Sequence, residues 1–224
     1  LMARHALPDG SDFFTFCESM TGREWGRTTP EPNVGHSPCW KLIQSQDTVE
    51  QELLDHTRRS PVGRVMYGHE FLQYEEGDAG IAVSTREMAT GVATTWQAQY
   101  LLACDGAASS VRHQAGIEMR GPATLAVMAN EYWQADLSHV RSAELCAGWR
   151  VWNKDSPFPV STVLNTNGRD KWLTLMPVGR EVDERAGERT DDEVVRVARV
   201  MSGMPNLDAK VINRSVWRLS RQVA

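Results

Sequence analysis

The stretch "YLLACDGAASSVR", Tyr100–Arg112, decides how the chain is read. "YLLAC" shows no polar alternation, and a continuous apolar run bounded by Asp-Gly suits a strand covered on both faces, as in the parallel layer of an α/β sheet. A short helix is expected next, capped by Ser109 or Ser110 and ended by Gly116. Ligands of open α/β sheets lie at the carboxyl ends of such strands, where helix N-termini point into the crevice. A glycine there lets backbone approach a ligand with no Cβ in the way. The carboxylate of Asp105 can accept hydrogen bonds from ribose hydroxyls or loop amides. Asp-Gly is also a common turn pair. A surface turn, however, does not usually follow a strand that lacks a polar face.

Upstream, Ser45 to Arg59 has a helical pattern. Asp47 can cap it, Glu50 stands three residues on as in a capping box, Val49, Leu53 and Leu54 form an apolar side, and Pro61 stops it. "EFLQY", "IAVSTRE" and "VATTWQAQY" then alternate, separated by turns at Glu75–Gly80 and Met88–Gly91, and read as a small antiparallel meander. From Pro122 onward, "TLAVMANEYW", "GWRVWN", "VSTVLN" and "KWLTLMPV" are short β-like runs of a second, mainly antiparallel sheet. One helix interrupts them. Thr190 and Glu193 form a capping box, Val194, Val197, Ala198 and Met201 recur at helical spacing, and Gly203 with Pro205 ends it. "DFFTF" and "CWKLI" are candidate strands of the same sheet.

A net charge of -5 and the absence of any basic block argue against nucleic acid and against a membrane-surface patch. Lysine is confined to Lys41, Lys154, Lys171 and Lys210. No apolar run reaches transmembrane length, and Leu1–Gly10 lacks a signal-peptide core. Cys17, Cys39, Cys104 and Cys146 are far apart without metal spacing, which suits free thiols in a reducing cytoplasm. His36, His69, His113 and His139 are isolated, so no metal site is expected. Without a Gly-x-Ser-x-Gly elbow, Ser109 and Ser110 are helix caps before they are nucleophiles. Trp149, Trp152 and Trp172 could wall a ring-shaped substrate, although core packing is the more ordinary reading. The acidic run Glu181–Glu193 reads as a solvated loop and helix start.

"CDGAASSVR" resembles the Asp-Gly motif of the flavoprotein monooxygenases that hydroxylate aromatic compounds, the p-hydroxybenzoate hydroxylase and phenol hydroxylase family. Its pattern of Asp-Gly, two residues, Ser, two residues, Arg is filled by Asp105, Gly106, Ser109 and Arg112. "QDTVEQELL" from Gln46 resembles the same family's glutamine-headed helix. The resemblance implies an α+β fold: a partial FAD/NAD(P)-binding three-layer α/β domain plus a mostly antiparallel substrate-binding sheet. It divides the chain into residues 1–44 (substrate-domain strands), 45–120 (partial FAD-binding domain with meander and Asp-Gly motif), 121–216 (substrate-binding domain) and 217–224 (return toward the FAD domain).

The activity implied is an FAD- and NAD(P)H-dependent monooxygenase acting on a small phenol- or polyketide-like aromatic substrate. Gln46, Phe71, Asp105, Gly106 and Arg112 are its cofactor-binding candidates, with Arg112 bracing the loop or meeting the nicotinamide nucleotide. The catalytic base is unassigned, His36 and Tyr132 being candidates by chemistry alone. Two family features are missing. No two glycines are separated by a single residue, so Gly-x-Gly-x-x-Gly is absent, and the chain ends before a Gly-Asp motif. The expectation is the middle portion of such an enzyme, inactive alone, colourless because FAD binds weakly or not at all, with severed sheet edges that favour a homo-oligomer. The alternatives are a non-catalytic module for small aromatic ligands, or another FAD enzyme of this fold, such as a halogenase or a ubiquinone-pathway hydroxylase.

Overall fold

The structure, a computed structural model, describes residues 13–29, 43–140, 146–179 and 189–224. In chain order the elements are β1 (Phe14–Cys17), β2 (Glu24–Arg27), α1 (Gln46–Arg59), β3 (His69–Gly77), β4 (Gly80–Glu87), β5 (Ala93–Ala98), α2 (Ser110–Gln114), β6 (Ala126–Gln134), β7 (Gly148–Trp152), β8 (Val160–Asn165), β9 (Lys171–Gly179), α3 (Asp191–Ser202) and β10 (Lys210–Leu219). His36, Cys39, most of "CWKLI" and residues 181–188 of the acidic run lie outside the described residues. The fold is mixed α and β, with one large, mostly antiparallel sheet and one small sheet.

Two compact units share the chain: Leu1–Leu53 with Ala123–Arg221, and Leu54–Pro122 with Gln222–Ala224. The first unit holds a seven-stranded sheet ordered β10-β6-β9-β8-β7-β1-β2. Every pairing in it is antiparallel except β1 with β7, where Phe14 stands beside Gly148. Strict alternation along β6 buries Val127, Ala129, Glu131 and Trp133 on one face and leaves Asn130 and Tyr132 half-buried on the other. The same period along β9 buries Trp172, Thr174 and Met176 beside them.

The core lies on that first face. The Trp172 ring stands 6.2 Å from Trp133 and 6.0 Å from Trp149, in the tilted arrangement aromatic pairs prefer. Trp149 and Trp172 are therefore core residues, whereas Trp152 is 65% exposed. Helix α3 contributes Val194, Val197, Ala198 and Met201, all buried. Its expected ends are both present: Thr190 and Glu193 form a reciprocal capping box, and Gly203 closes the helix at φ 75°.

The second unit holds the meander β3-β4-β5, paired antiparallel. Helix α2 is tied to β3 through Gln114, whose Nε2 donates to the Tyr74 carbonyl at 2.6 Å and whose Oε1 accepts from the Tyr74 amide at 3.2 Å. Here the expected strand at Tyr100–Cys104 needs correction. Those residues form no strand, and Tyr100 and Leu102 are 82% and 85% exposed. A strand exists only as a member of a ladder, and among the described residues none pairs with this segment. The capping box expected at Asp47 is also absent. Helix α1 starts one residue earlier, at Gln46, and Glu50 accepts from the Gln46 side chain at 2.6 Å instead.

Candidate functional site

The face of the seven-stranded sheet opposite α3 carries a cavity of about 780 Å³, contained within the first unit. Its floor is built by alternation. Asn130 and Tyr132 come from β6, Leu173 from β9, Leu164 from β8, and Asn213 and Ser215 from β10. Phe14 of β1 closes one end, and Ile43 to Asp47 with Glu50 form the wall around the start of α1. Ser45 and Thr48 hydroxyls, 3.0 Å apart, and the Thr48 amide donating to Asp47 Oδ1 at 2.9 Å order that first turn.

The wall is fastened to the floor by charge. Lys171 Nζ on β9 donates to Asp47 Oδ2 at 3.1 Å and lies 5.9 Å from the centroid of the Tyr132 ring. The bond to Asp47 raises the Lys171 pKa above its ordinary value against the opposing effect of burial, and the Tyr132 hydroxyl adds to the rise. Partial burial pushes Asp47 up, but hydrogen bonds from Ser45 and Lys171 outweigh it and hold the carboxyl below its usual range. Two polar atoms facing this region are buried without a well-formed hydrogen bond, Gln44 Nε2 and Tyr132 Oη.

Of the sequence candidates, Gln46 lines this cavity. The other four belong to the second unit. Asp105 and Gly106 lie on the loop that leads into α2, Arg112 lies within α2, and Phe71 sits on β3, the strand to which α2 is tied, where the ladder to β4 shifts register between Phe71 and Gln73. Asp105 is fully exposed. Its carboxyl accepts from the Val111 amide at 3.2 Å, and hydrogen bonding by Ser109 and then by that amide holds its pKa below the ordinary value. Ser109 caps α2 as expected, its Oγ accepting from the Arg112 amide at 2.9 Å. Arg112 braces the loop from within, Nη1 donating to the Ile117 carbonyl at 2.9 Å and Nη2 to the Ala107 carbonyl at 3.4 Å.

Gly106 has φ 79°, and nothing lies within 4 Å of the place a Cβ would occupy, so its backbone is open to close approach. The adjacent ionised carboxylate suits sugar hydroxyls rather than phosphate. Among the described residues no group of His, Cys, Asp and Glu could hold a metal, and no described helix is long and apolar enough to cross a membrane.

Sequence reasoning had no spacing signal for Gln44 or Lys171. For Tyr132, the period of β6 was the available one, since it places that residue on the Asn130 face.

The chain is 28% identical over 204 residues to the tetracenomycin A2 monooxygenase-dioxygenase of Streptomyces glaucescens, a match covering 87% of the chain and 36% of that protein. It is 25% identical over 226 residues to phenol 2-monooxygenase of a Pseudomonas species, covering 93% of the chain and 34% of that protein. It thus spans little more than a third of the length of these relatives. The crystal structure of the flavin-dependent monooxygenase PieE in complex with FAD and substrate superposes on 99% of the chain and 40% of that protein, with TM-score 0.84 and 26% identity. Since the model of the FAD binding domain family matches residues 8–224, the chain belongs to that family.

Proposed function

We propose that the chain is the middle portion of an FAD- and NAD(P)H-dependent monooxygenase that hydroxylates an aromatic, phenol- or polyketide-like compound. The observation that carries this reading is the cavity on the large sheet: apolar at Phe14, Ile43, Leu164 and Leu173, edged by a few polar groups, and walled by Gln46. Such a lining suits a ring-shaped ligand held by a small number of oriented hydrogen bonds. Relatives named as a phenol monooxygenase and a tetracenomycin monooxygenase-dioxygenase support the same chemistry.

Residues 121–216, with the strands before residue 45, serve as the substrate-binding part, and residues 45–120 belong to the FAD-binding part. FAD, when bound, supplies electron transfer and oxygen activation. The protein's own contribution is placement. The apolar walls exclude water from the ring, and Gln46 presents its amide at the cavity wall. Asp105 and Gly106 meet the ribose side of the dinucleotide, the main chain at Phe71 meets its adenine edge, and Arg112 keeps the loop in shape. Free thiols at Cys17, Cys104 and Cys146 suit a cytoplasmic setting.

The test is reconstitution of the product of the complete reading frame with FAD, NADPH and dioxygen. The expected result is NADPH oxidation stimulated by an aromatic phenol, with a product heavier by one oxygen atom. NADPH consumption indifferent to every aromatic compound, with no oxygenated product, sinks the proposal.

A further inference from the structure

We infer that Ile212, the extra residue of a β-bulge in β10, is the apolar stop at one end of the cavity and sets how long a ring-bearing ligand the cavity accepts. This rests on the ligand role given to the cavity in the hydroxylase reading, and it adds the residue that limits ligand length.

The ladder between β10 and β6 carries the argument. Val211 stands opposite Trp133 and Asn213 opposite Tyr132, so β10 advances two residues where β6 advances one, and Ile212 has no partner across. On either side of it the alternation is regular. Val211, Arg214 and Val216 stand opposite the buried Trp133, Glu131 and Ala129, while Ser215 and Trp217 stand opposite Asn130 and Met128 on the cavity face. Taking Ile212 out would join Val211 to Asn213 and leave every other side chain of the strand on its present face.

A bulge that the ladder does not need is explained by what its extra residue touches. In the same sheet β9 gains a residue beside Pro177, which has no N–H to give to a ladder. No such cause exists in β10, which contains neither proline nor glycine. Ile212 is 43% exposed, so core packing does not account for it either. It lines the cavity, beside Asn213. The irregular step is also held in place. Asn213 Oδ1 accepts from the Arg214 amide at 2.8 Å, and the Arg214 guanidinium donates to the Arg189 carbonyl and to Asp191, which fixes where the regular register resumes.

Position gives the role. β10 is an edge of the seven-stranded sheet, and the cavity lining runs from it through β6, β9 and β8 to Phe14 of β1. Ile212 therefore bounds the cavity at the β10 end as Phe14 does at the β1 end, both with apolar side chains. The β-branched side chain of Ile212 keeps to few rotamers, which suits a fixed wall.

Calorimetric titration of the full chain with 4-n-alkylphenols from methyl to octyl tests this. Affinity is expected to climb about fourfold per methylene until the ligand spans the distance between the two stops, and then to level or fall. Because both ends are bounded, the cut-off does not depend on which way round the phenol lies. Ile212→Ala should move the cut-off at least one carbon longer, and Ile212→Trp should move it shorter. The chain with Ile212 deleted should melt at or above the parent temperature and accept longer tails, which separates a role in the cavity from a role in folding. A cut-off that stays put in all three variants overturns the inference and leaves the hydroxylase reading standing. A deletion that melts well below the parent shows that the ladder needs the residue and overturns it as well. Failure of the parent chain to bind any of the phenols overturns this inference together with the ligand role given to the cavity, whereas NADPH oxidation by the reconstituted enzyme judges hydroxylation on its own.

Discussion

Lys171 Nζ reaches Asp47 Oδ2 at 3.1 Å, so a strand in the middle of the seven-stranded sheet grips the first turn of α1 across 124 positions of sequence. Both side chains are about a third to a half exposed, at 34% and 48%. Solvent screening limits such a pair to about 1 kcal/mol or less of stability. Its larger consequence is local, since Asp47 lines the cavity. Lys171→Met is expected to lower the melting temperature only slightly while speeding amide hydrogen exchange in the first turn of α1. Asp47 has its pKa depressed and Lys171 has its raised. The pair's contribution is therefore present above the unfolded Asp value of 3.8 and lost as pH falls through the lower folded one. It is equally present below the unfolded Lys value of 10.5 and lost as pH rises through the higher folded one. Equal melting curves and equal exchange in that turn for Lys171→Met and the parent chain would refute the tie.

Glu131 supplies a second pH dependence, of opposite sense. It lies on the core face of β6, 1% exposed, in contact with Arg189, while Arg214 reaches Asp191 and the Arg189 carbonyl nearby. Burial pushes the Glu131 carboxyl from 4.5 up to about 7, although Arg189 and Arg214 pull it down. Because its folded pKa lies above the unfolded one, the group's contribution is fully present below pH 4.5 and is lost as pH rises toward about 7. The loss is on the order of 3 kcal/mol, at about 1.4 kcal/mol per pKa step. Glu131→Gln, which resembles the protonated acid, should match the parent chain in denaturant stability at pH 4.5 and equal or exceed it at pH 8. A variant weaker than the parent at pH 8 would show the ion pair to be net stabilising.

Gly203 closes α3 at φ 75°, where a Cβ would stand 2.4 Å from Ser19 Oγ and 2.5 Å from Thr21 Oγ1. Those residues belong to the β1–β2 connection, whose Met20 and Thr21 amides donate to the Met201 and Ser202 carbonyls at 2.9 and 3.1 Å. Substitution therefore meets both left-handed backbone strain and a steric clash. Gly203→Ala should destabilise the chain by about 1–3 kcal/mol, read as a shift in urea midpoint at constant slope. A midpoint within error of the parent would contradict the close approach.

Local pattern carried much of this fold into view. Period two along β6, β8 and β9, and the Thr190, Glu193 and Gly203 signals around α3, are short-range properties that side chains and backbone settle among near neighbours. What could not be read is nonlocal. "YLLAC" has the composition of a buried strand, yet strand formation depends on a ladder partner, and its exposure shows that apolarity alone does not secure one. Asp47 looked like a helix cap because only its neighbours were visible, whereas its side chain answers to Lys171 far along the chain. The candidate site divides the same way. Gln46 was reachable through its resemblance and does line the cavity, but Gln44 and Tyr132 share that cavity only once β6 and the segment before α1 are brought together.

Flavin retention is the remaining test. A dinucleotide's pyrophosphate is ordinarily met by several amides at a glycine-rich helix start, and no two glycines of this chain are separated by one residue. The Asp-Gly loop brings an ionised carboxylate and a single open glycine, while its helix has only 5 residues and its first amides are taken by Asp105 and Ser109. Arg112, the loop's cation, is spent on the Ile117 and Ala107 carbonyls. Among the described residues of this loop and helix no cation is left free beside the carboxylate, which repels a diphosphate, so the sugar contacts and the adenine edge at Phe71 would have to hold FAD against the entropy of capture. The purified chain should therefore emerge colourless from gel filtration after incubation with FAD, and Asp105→Asn should not change that. A yellow chain with one flavin per polypeptide would show that the described loop, or residues outside the described ones, provides the missing phosphate contacts.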